Sequence, residues 1–236
     1  MNLKQHGPHL YRLTHYGFIN CYLVVEEDGL SIVDTGVAGT APLIAEAVAS
    51  LGGEVRRIVL THAHTDHVGG LDALHTRYPK AEVAISARDA RLLAGDTALG
   101  ADEPQTKLRG GLRPTRTRPT RLLGDGDAVG SLRAVASPGH TPGHIAFFDP
   151  RDGTLIAGDA FQTLGGLAVA GQLRGRFPLL ALFTWHAPTA LASARTLTAL
   201  EPARLAVGHG PVLERPVEAM RRVTERFSRR LAHAPS

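Results

Sequence analysis

Cysteine occurs once in the 236 residues, at Cys21, so no disulfide can close within the chain. Cys21 sits in the apolar run from Phe18 to Val25 and reads as a small buried hydrophobe. Aromatic residues make up only 5%, so the core must rest on Leu, Val, Ile and Ala. Lysine is nearly absent, with only Lys4, Lys80 and Lys107, and arginine carries the net charge of +4. Without a long unbroken basic run, that charge reads as a spread surface bias, and nucleic acid is not the expected partner. No stretch of about eighteen apolar residues exists, so no transmembrane helix and no membrane partner are expected. Met1 to Leu10 is polar and lacks the apolar segment of a signal peptide, which makes the cytoplasm the expected compartment. No fixed-period repeat of the solenoid kind is present.

The chain contains short apolar runs broken by turn signals. Leu10–Thr14, Phe18–Val25 and Leu30–Asp34 read as strands, separated by Tyr16-Gly17 and Glu27-Asp28-Gly29. Thr40–Leu51 has helical spacing, with Thr40 as candidate N-cap and Pro42 in the first turn. Strand-like and helix-like segments then alternate: Val55–Leu60, Leu71–Tyr78, Ala81–Ile85 and Ala87–Ala94. Gly95–Arg121 breaks the pattern with Gly, Pro, Thr and five arginines (Arg109, Arg113, Arg116, Arg118, Arg121). Such a stretch is expected to be a lid, a binding loop or a partly helical insertion. Strands are expected again at Arg121–Leu123, Leu132–Ala136, His144–Phe148, Thr154–Ala157 and Leu205–Val207, and helices at Pro188–Leu200 and Val217–Leu231. Between Asp159 and Pro188 lies a Gly-rich apolar stretch. Phe161, Phe177, Phe183 and Trp185 are either core or the wall of an apolar pocket. Mixed α/β elements without regular βαβ repetition suit two sheets with helices outside.

The chemistry is concentrated at His62-x-His64-x-Asp66-His67, directly after an apolar strand. Residues two apart in an extended segment point the same way, so His62 and His64 can address one ion. Asp66 and His67 lie where the chain turns toward a helix and can face a second ion. Gly69 and Gly70 leave that turn room for a close backbone approach. His140, Asp159 and His209 each follow a glycine and an apolar run, the setting in which strand-end loops assemble a site. Imidazole and carboxylate donors without thiolate suit zinc, and also manganese or iron. A metal-bound water has its pKa lowered to about 7, which supplies hydroxide at neutral pH. Asp66 is the catalytic candidate: it would bind one metal, orient the hydroxide and shuttle its proton.

Thr61 to Gly70, His140, Asp159 and His209, with Asp34-Thr35-Gly36 upstream, resemble the metallo-β-lactamase superfamily of hydrolases, in the family's order and over most of the chain. The resemblance implies one domain over residues 1–236 of the α+β class. This is an αββα sandwich: two mixed sheets packed face to face, helices on the outer faces, the site at one edge. It also implies a ligand partition, with His62, His64 and His140 on one divalent ion, Asp66, His67 and His209 on the other, and Asp159 bridging. Asp34 would stand behind the ligands; the alternative is a strand-end turn residue. His144 would orient a ligand by hydrogen bond or serve simply as a strand residue.

The family name does not fix a substrate. Asp159 occupies the place where some lactamases carry cysteine, which sets the chain nearer the glyoxalase II, lactonase and general hydrolase branches. Glyoxalase II enzymes carry an added helical domain, and only 27 residues follow His209. Ala160, Phe161 and Gln162 stand where lactonases often place a tyrosine. The expectation is therefore hydrolysis of a small ester, thioester or lactone. The alternatives are a mononuclear iron persulfide oxygenase using His62, His64 and His140, a phosphodiesterase or RNA-processing nuclease, and a metal-stabilised binding module.

Overall fold

Side chains alternate across a strand, so a strand apolar on both faces must be covered on both. The computed structural model describes residues 3–173 and 179–233. Its first sheet runs in chain order: β1 (Leu3–His6), β2 (Leu10–His15), β3 (Ile19–Glu26), β4 (Gly29–Val33), β5 (Val55–Val59), β6 (Glu82–Ser86) and β7 (Arg121–Leu123). Pairing is antiparallel from β1 to β4 and parallel from β4 to β7. The second sheet has the order β15 (Leu213–Glu214), β14 (Arg204–Ala206), β11 (Thr154–Ile156), β10 (Ile145–Asp149), β9 (Leu132–Ala136) and β8 (Ala128–Val129).

The buried residues sort into three layers. Tyr22, Val24, Val33, Val59 and Ala84 of the first sheet meet Leu132, Ala134, Ile145, Phe147 and Ile156 of the second, which makes the inter-sheet layer. The alternate residues Cys21, Leu23, Ile32, Ile58, Val83 and Ile85 face outward onto α1 (Ala41–Leu51), α3 (Leu71–Arg77) and α4 (Ala87–Leu93). Across the molecule, Val135, Ala146, Leu155 and Leu205 face α6 (Ala187–Ala199) and α7 (Val217–Ala232). The result is the αββα sandwich.

Several local expectations change. The polar start forms β1, an edge strand paired with β2, whose half-exposed face needs no apolar pattern. Thr40 stands before α1, but its side chain does not cap the helix; the hydroxyl instead bonds His15 Nδ1 at 2.8 Å. His144 precedes β10 rather than lying in it. The Gly-rich stretch holds a two-stranded ribbon, β12 (Phe161–Gln162) with β13 (Ala168–Val169). Phe161 is buried against the α6–α7 side, so it is core, and Phe177 lies outside the described residues. Trp185 is also buried, its indole N–H donating to the Thr106 carbonyl.

Residues 95–120 contain no helix and are pinned rather than loose. Arg88 holds Glu103, Thr115 N donates to the Leu93 carbonyl, and Thr117 N donates to Asp72. Leu108 and Leu112 pack on the α1–α3–α4 core, and Leu112 bridges His64. No described helix is long and apolar enough to cross a membrane.

Candidate metal centre

Asp34 follows β4, His62 follows β5, His140 lies between β9 and β10, Asp159 follows β11 and His209 follows β14. These strand ends share one edge of the sandwich. His64 leads into the short helix α2 (Thr65–Val68), which carries Asp66 and His67. Asn20 fixes the last loop from β3: its side-chain amide donates to the Val207 and Gly210 carbonyls, and its backbone N–H donates to that of Gly208. Gly208 is required by packing, since a Cβ there would collide with the Asp159 carboxylate and the His67 ring.

All seven residues converge. One nitrogen each of His62, His64 and His140 lie within 4.8 Å of one another, as do donor atoms of Asp66, His67 and His209. His62, His67 and Asp159 form a third such group between them. Asp159 Oδ2 lies 3.3 Å from Nε2 of His140 and 3.3 Å from Nε2 of His209, one ring from each trio. Its Oδ1 lies 3.4 Å from His67 Nε2.

Each imidazole is aimed by its other nitrogen. His62 Nδ1 donates to Thr61 Oγ1 at 3.0 Å, because that hydroxyl already donates to Asp34 Oδ2. His140 Nδ1 donates to Thr184 Oγ1 at 3.2 Å, whose own proton goes to the Leu180 carbonyl. His64 Nε2 donates to the Arg109 carbonyl, His67 Nδ1 to Asp34 Oδ2, and His209 Nδ1 to the Phe18 carbonyl. This leaves His62 Nε2, His64 Nδ1 and Nε2 of the other three facing inward. Gly110 permits the His64 contact, since a Cβ at that position would run into the ring.

Asp34 accepts from Thr61 N, Thr61 Oγ1 and His67 Nδ1, each at 2.8 Å. Its φ of 60° is a left-handed conformation that is uncommon outside glycine. His144 Nε2 accepts from the Asp159 backbone N–H, and its Nδ1 bonds Ser137 Oγ. Both residues therefore touch the cluster from behind, where the sequence had left their place open.

Two supports were missed. Asp89, fully buried at the start of α4, accepts from Ala63 N, Thr141 Oγ1 and Gly143 N. It ties the His62–His64 segment to the His140 loop. Ser86-x-x-Asp89 has the spacing of a helix-start box, the one signal that could have found it. Thr184 had no signal at all.

The donors' chemistry fits divalent cations. His62 Nε2 is buried without a hydrogen bond, and His67 Nε2 and Asp159 Oδ1 face only each other at 3.4 Å, a costly arrangement unless something else satisfies them. Burial, then neighbouring rings, holds His62 and His140 well below the usual imidazole range, and burial lowers His64 too. These three present lone pairs, as a metal requires. Burial also opposes charge on His67 and His209, but the Asp159 carboxylate and its neighbours outweigh it. Both are pushed up, His209 to about 9. Asp66 and Asp159 are held below the carboxylate range despite burial, by His67 and His209. Protons gather where the carboxylates are, and a cation would replace them.

A cavity of about 360 Å³ opens onto this cluster, lined by Phe18, Ile19, Thr65, Gly111, Leu180 and Phe183 together with His64, Asp66, His140, Asp159 and His209. A model of the metallo-beta-lactamase superfamily matches residues 16–209, a span that includes every candidate ligand, and the chain belongs to that superfamily of hydrolases. Among individual proteins, it is 49% identical over 209 residues to the uncharacterized protein YobT of Bacillus subtilis (strain 168), covering 88% of this chain and 90% of that one. It is 32% identical over 158 residues to the hydroxyacylglutathione hydrolase of Stenotrophomonas maltophilia (strain R551-3), covering 65% of this chain and 50% of that enzyme. The crystal structure of TTHA1623 in a di-iron-bound form superposes with a TM-score of 0.63 at 29% identity, over 87% of this chain and 94% of that one.

Proposed function

We propose that this chain is a binuclear metal-dependent hydrolase, a single catalytic domain acting in the cytoplasm on a small ester, thioester or lactone. The observation that carries this reading is the position of Asp159 Oδ2, equidistant at 3.3 Å from one ring of each trio. His62, His64 and His140 would hold one ion, Asp66, His67 and His209 the other, and Asp159 would join them. The all-nitrogen-and-oxygen donor set suits zinc first, and manganese or iron as well. Two such ions would supply hydroxide at neutral pH and polarise the carbonyl under attack.

The chain's own residues contribute orientation and proton handling. Asp34, Thr61, Thr184 and the Arg109 and Phe18 carbonyls fix the rings, so little reorganisation accompanies reaction. Asp66 keeps a third of its side chain exposed, whereas Asp159 is buried. Ionised and facing the cavity, Asp66 would accept a hydrogen bond from the attacking water and orient it. Among the relatives, the hydroxyacylglutathione hydrolase supports thioesters as the first class to test.

An iron oxygenase would need only the first trio, and the assembled second trio favours hydrolysis. A binding module with structural metal fits less well, because structural sites are closed cages and this one opens into a cavity. RNA processing has less support: of the loop's arginines, Arg118 is taken up by the Leu93 and Thr115 carbonyls and Arg121 faces Glu82. The test is a screen of thioesters, esters, lactones and phosphodiesters on metal-replete and chelator-stripped protein. Metal-dependent turnover in the first three classes is expected. Persulfide oxidation with one iron per chain would displace the reading.

A further inference from the structure

Folding alone does not account for the apolar side chains around the cavity mouth. Among the described residues, the exposed large apolar side chains are Tyr16, Leu122, Leu173, Leu182 and Phe183. Three of these five belong to two short segments, residues 16–19 and 180–183, which also supply Phe18, Ile19 and Leu180 to the cavity wall. Phe183 lines the cavity itself, and Tyr16 and Leu182 adjoin lining residues in the chain; apolar groups exposed beside a cavity mark a binding surface.

Each segment is fastened to a different trio. The Phe18 carbonyl accepts from His209, the Phe18 ring lies 6.0 Å from the His209 ring, and Ile19 bridges His209. The Leu180 carbonyl accepts from Thr184, whose hydroxyl holds His140. The apolar walls therefore stand over both halves of the metal centre. Tyr16 is held in place as well. Its φ is 51°, a left-handed conformation uncommon for a bulky residue. Its ring stacks on His15 at 3.9 Å, and His15 is bonded to Thr40. Asparagine would make this turn with less strain. Tyr16 is thus a fixed, exposed ring two residues from Phe18 of the cavity wall.

We propose that the cavity takes an uncharged, apolar acyl group, gripped between Phe18 with Ile19 and Leu180 with Phe183, with Tyr16 and Leu182 extending the grip at the mouth. The substrate class is a neutral ester or thioester with a hydrocarbon acyl chain rather than a short hydroxy acid or diacid. This rests on the hydrolase reading. For a thioester, the water oxygen forms the new C–O bond, the C–S bond breaks, and the thiol leaves with a proton.

The test uses metal-replete protein and the N-acetylcysteamine thioesters of acetate, butyrate, hexanoate, lactate and succinate. Binding of uncleavable alkyl methyl ketones of matched length is followed by calorimetry. A buried methylene is worth about fourfold, so kcat/KM and ketone affinity should rise about fourfold per methylene until the cavity fills. Lactoyl and succinyl thioesters should fall below butyryl. Phe183→Ala and Tyr16→Asn should each lower the hexanoyl-to-acetyl ratio, by about tenfold for Phe183. Turnover with a flat or falling chain-length series, or a preference for the lactoyl or succinyl thioester, overturns the proposal and leaves the hydrolase reading intact. Ketone binding with the expected slope but no hydrolysis of any member, nor of the matching methyl esters and lactones, keeps the apolar site and removes the hydrolase reading.

Discussion

The two trios are built on different principles. His62, His64 and His140 are neutral rings, deeply buried, and aimed by two threonine hydroxyls and a backbone carbonyl. Asp66, His67 and His209 draw on charge: Asp66 is itself a ligand candidate, and a second carboxylate, Asp34, stands behind His67. The first half should hold an ion through geometry, the second through electrostatics, with Asp159 belonging to both. The difference teaches that substitutions behind the ligands should separate the two sites.

The largest effect is expected where the halves meet. Replacing a buried carboxylate that faces cations costs about 3–5 kcal/mol, so Asp159→Asn should lower kcat/KM on the order of a thousandfold. Chelator competition should show both ions weakened; loss of only one would break the shared assignment. Next is Asp34→Asn, which keeps a residue tolerant of the left-handed backbone, removes the charge behind His67 and loosens the Thr61 hydroxyl that aims His62. Affinity for the second ion should fall about 10–100-fold and that for the first by less, because Asp34 touches His67 directly and reaches His62 only through Thr61.

Asp89→Asn probes the other half. The amide cannot accept all three hydrogen bonds from Ala63, Thr141 and Gly143, and the unmet donors should cost about 1–3 kcal/mol in denaturant unfolding. Here the first ion should be lost preferentially, the reverse of Asp34→Asn. If both variants weaken the same ion, geometry and charge are not separated as described.

The smallest effect is a pH dependence. Burial lowers His144 from 6.5 to about 3. The unfolded chain therefore takes up a proton below about 6.5 that the folded chain refuses until about 3. This contribution is fully present above 6.5 and is lost as pH falls toward 3. In metal-stripped protein, His144→Gln should flatten this acid flank by up to about 1.4 kcal/mol per pH unit, read from urea melts at pH 7 and 5.

What could be read from the sequence was what is local or periodic. His62-x-His64-x-Asp66-His67 declares itself because four donors share one turn of chain, and the strand runs declare themselves by alternation. His140, Asp159 and His209 stood out because each follows a glycine at a strand end, and Gly208 shows why: the ligand loops pass too close for a Cβ. The support behind the ligands was less legible. Asp34 was noticed, but its three hydrogen bonds reach residues 27 and 33 positions away. Asp89 went unremarked inside the expected Ala87–Ala94 helix because its carboxylate acts across 26 to 54 residues of chain. The Arg109 and Phe18 carbonyls left no trace, since any residue supplies a carbonyl. β1 was invisible because an edge strand needs no apolar face.

The most direct measurement of the central claim is the number of divalent ions bound per chain at saturation, by equilibrium dialysis against zinc with elemental analysis, for the parent chain and His209→Ala. The account predicts two ions for the parent and one for the variant. A single ion per chain, unchanged by His209→Ala, would contradict it.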